Sequence, residues 1–201
     1  VWNYTASSAQ DQLANGVKVT DTFTVKAADG TTSSITVNIT GTNDAAVISG
    51  TRVFELTEAD TALTTTGTLT STDVDGVVNA FTAETVSGTY GSLTMGANGV
   101  WNYTASSAQD QLANGVKATD TFTVKAADGT TSSITVNITG TNDAAVISGT
   151  KTFELTESNA ALTATGTLTS TDVDGTTAFT AQTVAGTYGN LVMGANGVWN
   201  Y

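Results

Sequence analysis

The sequence predicts an all-β protein built of tandem β-sandwich domains, and three observations support this prediction. Apolar and polar residues alternate with a period of two along several short segments, which is typical of strands with one face in a core. Turns rich in glycine and asparagine separate these segments at short intervals. The same phrases then return about a hundred residues later, which indicates a repeat array.

The clearest predicted strands, residues 22–27 and 35–40, form a hairpin around the turn Asp29-Gly30. Further strands are predicted at residues 47–48, 53–54, 64–72, 91–95 and 100–103, the last two joined through Asn98-Gly99. Residues 105–114 do not alternate in this way. Serines near their start can cap one helical turn and Gly115 can end it, so we expect a short helix or a loop there.

The repetition is close to perfect. Residues 1–50 recur as residues 100–149 with one change, Val19 becoming Ala118. The phrase Val-Trp-Asn-Tyr begins at residues 1, 100 and 198, so the period is 99 and then 98 residues, and the missing residue lies in the loop of residues 75–81. A period of this length matches one small domain with its own core. Length, stiffness and avidity rise with copy number, so repetition favours a mechanical or binding role over a catalytic one.

The repeat phase differs from the domain phase. A polar, turn-forming stretch at residues 41–45 returns at residues 140–144, and each copy is followed by a new set of strands. We therefore interpret these stretches as linkers. Residues 1–44 are then the C-terminal half of a first β-sandwich repeat, residues 45–143 a complete repeat, and residues 144–201 the N-terminal half of a third.

Composition excludes several classes of function. Eighteen acidic residues against six basic ones give a formal charge of −12, so nucleic acid is an unfavourable partner, because phosphate binding needs clustered Lys and Arg. No apolar run approaches the roughly 18–20 residues of a membrane helix, which argues against membrane insertion. The chain has no His or Cys and no glycine-rich phosphate loop, so we expect that it is not an enzyme.

Acidic motifs recur beside the linkers. The complete repeat carries Phe-Glu-Leu-Thr-Glu ending at Glu58, a D-x-D motif at Asp73 and Asp75, Lys-Ala-Ala-Asp-Gly around Asp128, and Gly-Thr-Asn-Asp ending at Asp143. Ca²⁺ is a hard cation that takes six to eight oxygen ligands, which carboxylates, amide oxygens and backbone carbonyls supply. The aspartates of a D-x-D motif can project to the same side of the chain and close on one ion. D-G turns also occur in hairpins without any metal.

These motifs resemble those of VCBS repeats from large bacterial surface proteins, and in order and spacing they are similar to the acidic motifs of cadherin domains. The resemblance covers the whole chain. It implies immunoglobulin-like, cadherin-like sandwiches, Ca²⁺ bound between successive domains, and an extracellular position at the bacterial cell surface. The chain departs from the cadherin pattern in lacking an L-D-R-E segment, near whose place Asp110 lies, and in having Ala45 and Ala144 where a linker proline is usual.

The resemblance assigns ligands to two junctions. At the first junction they are Asn43, Asp44, Asp73, Asp75 and Asp128. At the second junction they are Glu58, Asn142, Asp143, Asp172 and Asp174.

The function that this implies is a calcium-rigidified spacer in a large adhesin, which serves cell-surface attachment and biofilm formation and whose partners are the neighbouring repeats of the same chain. Two alternatives remain open. The chain can be a subunit of a self-assembling extracellular filament or lattice, in which other copies are the partners, or its repeats can bind glycans directly.

Individual side chains also have two interpretations. Trp101 and Tyr103 can form a sugar-stacking platform, but their alternation places both on one face and favours the core. Four acidic residues outside the motifs are predicted to be solvated surface charges: Asp21, Glu55, Glu84 and Asp120.

Overall fold

The computed structural model describes residues 1–76 and 79–201, in which every regular element is a β-strand. The first strands are β1 (Lys18–Lys26), β2 (Thr32–Thr40), β3 (Val47–Ser49), β4 (Val53–Thr57), β5 (Thr64–Thr68), β6 (Thr70–Thr72), β7 (Glu84–Ser87) and β8 (Gly91–Met95). The later strands are β9 (Val100–Ala105), β10 (Lys117–Lys125), β11 (Thr131–Thr139), β12 (Val146–Gly149), β13 (Thr165–Thr171), β14 (Gln182–Ala185), β15 (Asn190–Met193) and β16 (Val198–Asn200). The all-β prediction is therefore confirmed. The shortened loop inferred from the change of period lies partly outside the described residues.

The strands of the described residues assemble into five sheets. Their orders are β1-β2, β10-β11-β4, β12-β13-β16-β15-β14, β3-β6 and β5-β9-β8-β7. Short turns join antiparallel neighbours such as β1 with β2 and β7 with β8. The described residues contain no helix that is long and apolar enough to cross a membrane.

The chain divides into two compact units. The first unit consists of Val1–Phe54, Thr64–Thr104 and Asp120–Val136. The second unit consists of Glu55–Leu63, Ala105–Thr119 and Asn137–Tyr201. The largest fully buried side chains of the first unit are Leu69, Leu93, Met95, Trp101, Tyr103, Phe122, Val124, Ile134 and Val136. In the second unit, Leu112, Ala118, Ile138 and Trp199 are buried.

Trp101 and Tyr103 lie in the core of the first unit, both with 0% of their surface exposed. Phe54 packs edge-on against Trp101 with ring centroids 4.5 Å apart, in the geometry that aromatic pairs prefer. A Cβ at Gly67 would lie 2.5 Å from the Trp101 ring, so the strand can pass the indole only with glycine at this position. The core interpretation of the two aromatic residues is confirmed.

The prediction that Asp120 is a solvated surface charge is wrong. Its side chain is 4% exposed, and its carboxylate accepts hydrogen bonds from the backbone N–H groups of Thr89 at 2.7 Å and Tyr90 at 3.0 Å and from the Tyr103 hydroxyl at 3.2 Å. The alternation of β10 explains this burial, because Asp120 shares the inward face with Phe122. The other three acidic residues predicted to be surface charges are exposed.

Residues 106–116 form turns without a helix, so the loop alternative is correct for this segment. Gln109 has a positive φ of 71°, and its carbonyl accepts a hydrogen bond from the N–H of Leu112 at 2.9 Å. Sequence patterning missed β7, because only Val86 in that strand is even half-buried and the alternation is weak.

Candidate metal centres

The first acidic site consists of Asn43, Asp44, Asp73, Asp75 and Asp128, all within the first unit. Asp73 and Asp75 follow the end of β6, Asp128 lies in the turn between β10 and β11, and the two linker residues follow β2. Every member except Asp44 lines one cleft of about 340 Å³. The motifs assigned to the first junction therefore lie close together in space, although they are far apart in sequence.

Backbone hydrogen bonds hold the first acidic site together. Asp73 Oδ1 accepts from the N–H of Asp75 at 3.2 Å and of Gly76 at 3.1 Å, which curls the D-x-D segment around its first carboxylate. The N–H of Asp44 donates to Asp75 Oδ2 at 3.3 Å. The N–H of Ala46 donates to Asp128 Oδ2 at 2.9 Å. The linker is thus joined to both acidic loops.

The charges of the first acidic site are only partly compensated. Asp75 Oδ1 is buried and accepts no hydrogen bond from the described residues. The neighbouring Asp75 carboxyl, followed by desolvation, raises the pKa of Asp73. The Thr130 hydroxyl and then the Ala46 N–H lower the pKa of Asp128. Asp128 is therefore a stable anion, whereas no Lys or Arg among residues 1–76 and 79–201 forms an ion pair with the D-x-D motif.

The second acidic site is built around Glu58, Asp60 and Asp143 in the second unit. Glu58 directly follows β4, Asp60 is two residues further on, and Asp143 lies in the linker after β11. One carboxylate oxygen from each lies within 4.8 Å of the other two. Such a group can hold a divalent cation.

Neighbouring groups fix this second acidic site. The Thr141 N–H donates to Glu58 Oε2 at 3.0 Å, and the Thr141 hydroxyl donates to the same oxygen. The N–H of Asp143 donates to Asp174 Oδ1 at 3.3 Å. Asp172 Oδ1 accepts from the N–H of Asp174 at 3.3 Å. This arrangement repeats the D-x-D turn of the first acidic site.

The second acidic site has carboxylate oxygens without donors. Within the part of the chain that the structure describes, three buried oxygens of this region have no hydrogen-bond partner: Glu58 Oε1, Asp110 Oδ1 and Asp143 Oδ2. Desolvation, followed by the charges of Glu58, Asp110, Asp174 and Asp60, raises the pKa of Asp143. Buried polar atoms are nearly always partnered in folded proteins. Several unpartnered acceptors around one point therefore fit a cation.

The donor set of both sites favours Ca²⁺. It consists of carboxylate and amide oxygens, which are the ligands of hard cations, and it contains neither the thiolate nor the imidazole that favours Zn²⁺. Asp73, Asp75 and Asp128 would hold the ion at the first site, and Glu58, Asp60 and Asp143 at the second. The ion would supply charge neutralisation and a rigid link between loops.

Two of the assigned ligands, Asn43 and Asn142, form hydrogen bonds within the linkers. The Asn43 and Asn142 amides each donate to the backbone carbonyl of the following aspartate at 2.6 Å, so both amides are turned toward the linker backbone. Sequence reasoning missed Asp60, although the spacing Glu58-x-Asp60 directly after a strand could have indicated a second carboxylate there. The ligand assignments themselves stay predictions.

Residues 43–140 match the model of a family described as the bacterial cadherin-like domain. Among solved structures, the chain is similar to the protocadherin GammaB4 extracellular domain, with a TM-score of 0.47 and 13% identity over 92% of this chain and 30% of the other. It is also similar to an adhesin described as Ca²⁺-stabilized, which helps an Antarctic bacterium bind ice, with a TM-score of 0.22 and 15% identity over 91% of this chain and 47% of the other.

The chain thus spans less than half the length of either of these proteins. None of the curated proteins matches it. The family match begins at the Asn43-Asp44 pair of the first linker, covers β3 to β11 and ends before the Asn142-Asp143 pair of the second linker. The fold of residues 43–140 is therefore cadherin-like.

Proposed function

We propose that this chain is a calcium-rigidified extender segment of a large extracellular bacterial adhesin. Its repeats are of the VCBS type, with a complete repeat at residues 45–143 between the partial repeats 1–44 and 144–201. The observation that carries the proposal is that, among the described residues, buried carboxylate oxygens without a hydrogen-bond partner lie beside each Gly-Thr-Asn-Asp linker: Asp75 Oδ1 at the first, and Glu58 Oε1 and Asp143 Oδ2 at the second.

The two acidic sites support this proposal because they are constructed alike. In both, the N–H of the linker aspartate donates to the second aspartate of a D-x-D motif at 3.3 Å, from Asp44 to Asp75 and from Asp143 to Asp174. A hydrogen-bonded site that recurs at each linker is suited to setting the geometry of a repeat array. Binding of one isolated ligand would need only a single site.

The magnitude of calcium binding fits a role in the linker. With extracellular Ca²⁺ at about 1 mM and a dissociation constant of about 0.1 mM, one site stabilises the bound form by about 1.4 kcal/mol. That is small beside the total stability of a folded domain, which is about 5–15 kcal/mol. It is large for a linker of a few residues, whose bent arrangements differ little in free energy.

Calcium acts in this proposal through charge. Ionised carboxylates clustered at a linker repel one another, and a divalent ion replaces that repulsion with attraction. The neighbouring repeats of the same chain are therefore held in fixed orientations. A stiffened array would hold an adhesive head away from the bacterial cell surface, in attachment and in biofilm formation.

Calcium titration of the 201-residue chain tests the proposal. Isothermal titration calorimetry is expected to detect binding, and small-angle scattering at dilutions where the chain is monomeric is expected to show a narrower distribution of distances with Ca²⁺ than with EDTA. Identical scattering in the two conditions would refute the rigidifying role even if the ion binds.

A matched pair of variants assigns the effect to the second acidic site. Glu58→Gln removes one charge from a buried ligand while it keeps the shape of the side chain, so it should weaken calcium binding there. Glu84→Gln makes the same change on an exposed strand residue away from both acidic sites and should leave binding unaltered. Equal affinities in the two variants would show that the ion is held elsewhere.

A further inference from the structure

The clamp loop, residues 112–116, holds the glycine that opens the second linker. The N–H of Gly140 donates to the carbonyl of Val116 at 2.8 Å, and the carbonyl of Gly140 accepts from the N–H of Gly115 at 2.9 Å. Both backbone hydrogen-bonding groups of Gly140 are therefore used in one pairing with the loop. Gly140 is also buried, so the linker starts from a fixed point directly after β11.

The clamp loop approaches Gly140 too closely for a side chain. A Cβ at this position would lie 2.6 Å from the carbonyl oxygen of Ala113 and closer still to that of Leu112. The obstructing atoms belong to the backbone, so a change of side-chain rotamer would not relieve the overlap. Any other residue at position 140 must therefore displace either the linker or the clamp loop.

The first linker is held in the same way. The N–H of Gly41 donates to the carbonyl of Val17 at 2.8 Å, and the carbonyl of Gly41 accepts from the N–H of Gly16 at 3.0 Å. A Cβ at Gly41 would lie 2.5 Å from the carbonyl oxygen of Ala14. The same clamp therefore forms at both Gly-Thr-Asn-Asp linkers.

The residues on either side of Gly140 hold Glu58, a candidate ligand of the second acidic site. The N–H of Glu58 donates to the carbonyl of Thr139 at 2.8 Å. The N–H of Thr141 donates to Glu58 Oε2 at 3.0 Å. Glu58 is thus fixed through its backbone and through its carboxylate by the two neighbours of the clamped glycine. A displacement of the chain at Gly140 would be passed on directly to that carboxylate.

A turn that leads into the clamp loop brings a further carboxylate to this site. The carbonyl of Gln109 accepts from the N–H of Leu112 at 2.9 Å, which closes a turn that contains Asp110. Asp110 Oδ1 is buried and accepts no hydrogen bond from the described residues. The negative charge of Asp110 acts on Asp143 in the linker. Movement of the loop against the linker would therefore change the spacing between their carboxylates.

We propose that Gly140 is a positioning residue for the second acidic site, which acts through the clamp loop to hold Glu58 and Asp143 at the spacing that a divalent cation needs. The clamp couples the body of the repeat to the linker, so that calcium meets a site that is already formed. Preorganised groups bind more tightly because less conformational freedom is lost on binding. This inference rests on the proposed function and adds how the calcium affinity of the second acidic site is set.

Calcium titration calorimetry of the 201-residue chain tests the proposal. Gly140→Ala introduces the overlap with the clamp loop and should weaken binding at the second acidic site about 10-fold, as substitutions behind a metal ligand commonly do, while binding at the first acidic site stays unchanged. Glu58→Gln identifies which binding step belongs to the second site. Gly186→Ala makes the same substitution at an exposed glycine between β14 and β15, where a Cβ would meet one atom at 3.1 Å, and should leave both affinities unaltered. A folded Gly140→Ala chain with unaltered affinity at the second site would overturn the proposal.

A second pair of substitutions provides the test if Gly140→Ala does not fold. Gly115 has a φ of 79°, and no described atom lies within 4 Å of the position that its Cβ would take. Valine strongly disfavours this left-handed backbone, so Gly115→Val should release the hydrogen bond to Gly140 and weaken calcium binding. Asparagine adopts the same backbone readily, so Gly115→Asn should keep the affinity of the unsubstituted chain. Equal affinities of these two variants would contradict the role of the clamp.

Hydrogen exchange followed by NMR in EDTA separates this proposal from the proposed function. The amides of Glu58 and Thr141 should lose protection in Gly140→Ala, because the clamp acts locally. The amide of Leu69, which donates to the carbonyl of Gly99 at 2.9 Å, should keep its protection. Equal loss at all three amides would mean that Gly140 serves only the overall stability and would overturn the proposal. Loss confined to Glu58 and Thr141 in a chain that binds no calcium would refute the proposed function and support the local role of the clamp.

Discussion

The β1–β2 and β10–β11 hairpins have nearly the same sequence but lie in opposite environments. They differ at one position, Val19 against Ala118, and both form two nine-residue strands. Every residue of β1 is exposed, whereas β10 alternates exposed and buried residues along its whole length. Local sequence therefore determines the hairpin, and the strands packed against it determine burial.

This comparison separates two sources of stability. Register and turn chemistry are sufficient to pair Lys18 with Thr40 and Lys26 with Thr32 at the two ends of the first hairpin. A two-stranded hairpin alone is only marginally stable in water. The second hairpin also packs against the core that contains Trp101 and Tyr103, and substitutions at equivalent positions of the two hairpins measure what that packing adds.

The largest difference in loss of stability between equivalent substitutions is expected at the paired phenylalanines. Phe122→Ala removes a side chain that is 1% exposed and should lower the free energy of unfolding by about 3–5 kcal/mol. Phe23→Ala makes the same change on the exposed hairpin and should cost less than about 1 kcal/mol. Urea unfolding of the monomeric chain followed by tryptophan fluorescence measures both. Equal losses would mean that the first hairpin has a buried core in solution.

The paired aspartates should show a smaller difference in loss of stability than the phenylalanines. Asp120→Ala leaves the part-buried N–H groups of Thr89 and Tyr90 without an acceptor, so we expect a loss of about 3 kcal/mol. Asp21→Ala removes only an exposed hydrogen bond from Tyr4, and about 0.5 kcal/mol is expected in the monomer. Thermal unfolding at low protein concentration compares them. A mild effect at Asp120 would show that water replaces its carboxylate.

These pairs also show what sequence reasoning could predict. Period-two alternation located the hairpins and the buried Trp101, because alternation reports directly which side of a strand is apolar. It did not locate the burial of Asp120, because the donors that satisfy its charge lie about thirty residues away. For the same reason the pattern of residues 152–156 could not show that this segment stays out of a sheet.

For the acidic sites, too, the sequence indicated the local motifs but not the contacts between distant segments. The D-x-D and Asn-Asp motifs are local and could be recognised in sequence, and the structure brings Asp73, Asp75 and Asp128 to one cleft. Asp60 belongs to no motif that was recognised. Asp60 is a candidate ligand only because Asp143 approaches it after β11, which the folded chain shows and the sequence does not.

The two acidic sites should respond differently to pH. Burial and neighbouring charges raise the pKa of Asp143, so without calcium its ionised form disfavours the folded arrangement. The contribution of protonated Asp143 to the free energy of unfolding is therefore fully present below the ordinary aspartate pKa and is lost as pH rises through the raised pKa. The pKa of Asp128 is lowered, so its contribution is present above the ordinary pKa and is lost in acid below it.

Calcium affinity measured by calorimetry between neutral pH and about pH 4 checks this difference. Protons compete with the ion for Asp143, so affinity at the second acidic site should fall first on acidification. Asp143→Asn should remove that early fall and lower the affinity at neutral pH, whereas Asp128→Asn should affect the first site. Parallel loss at both sites in the unsubstituted chain would contradict the opposite pKa directions.

The smallest difference is expected at the paired lysines. Lys117 forms an ion pair with Glu55 at 3.0 Å, and both side chains are more than half exposed. Exposed pairs contribute about 0–1 kcal/mol because solvent and salt screen them. Lys117→Ala should therefore cost a few tenths of a kcal/mol, an effect that added salt should abolish, and Lys18→Ala should cost nothing measurable in the monomer. A salt-dependent loss from Lys18→Ala as large as that from Lys117→Ala would contradict this expectation, because it would mean that Lys18 has an ionic partner in solution.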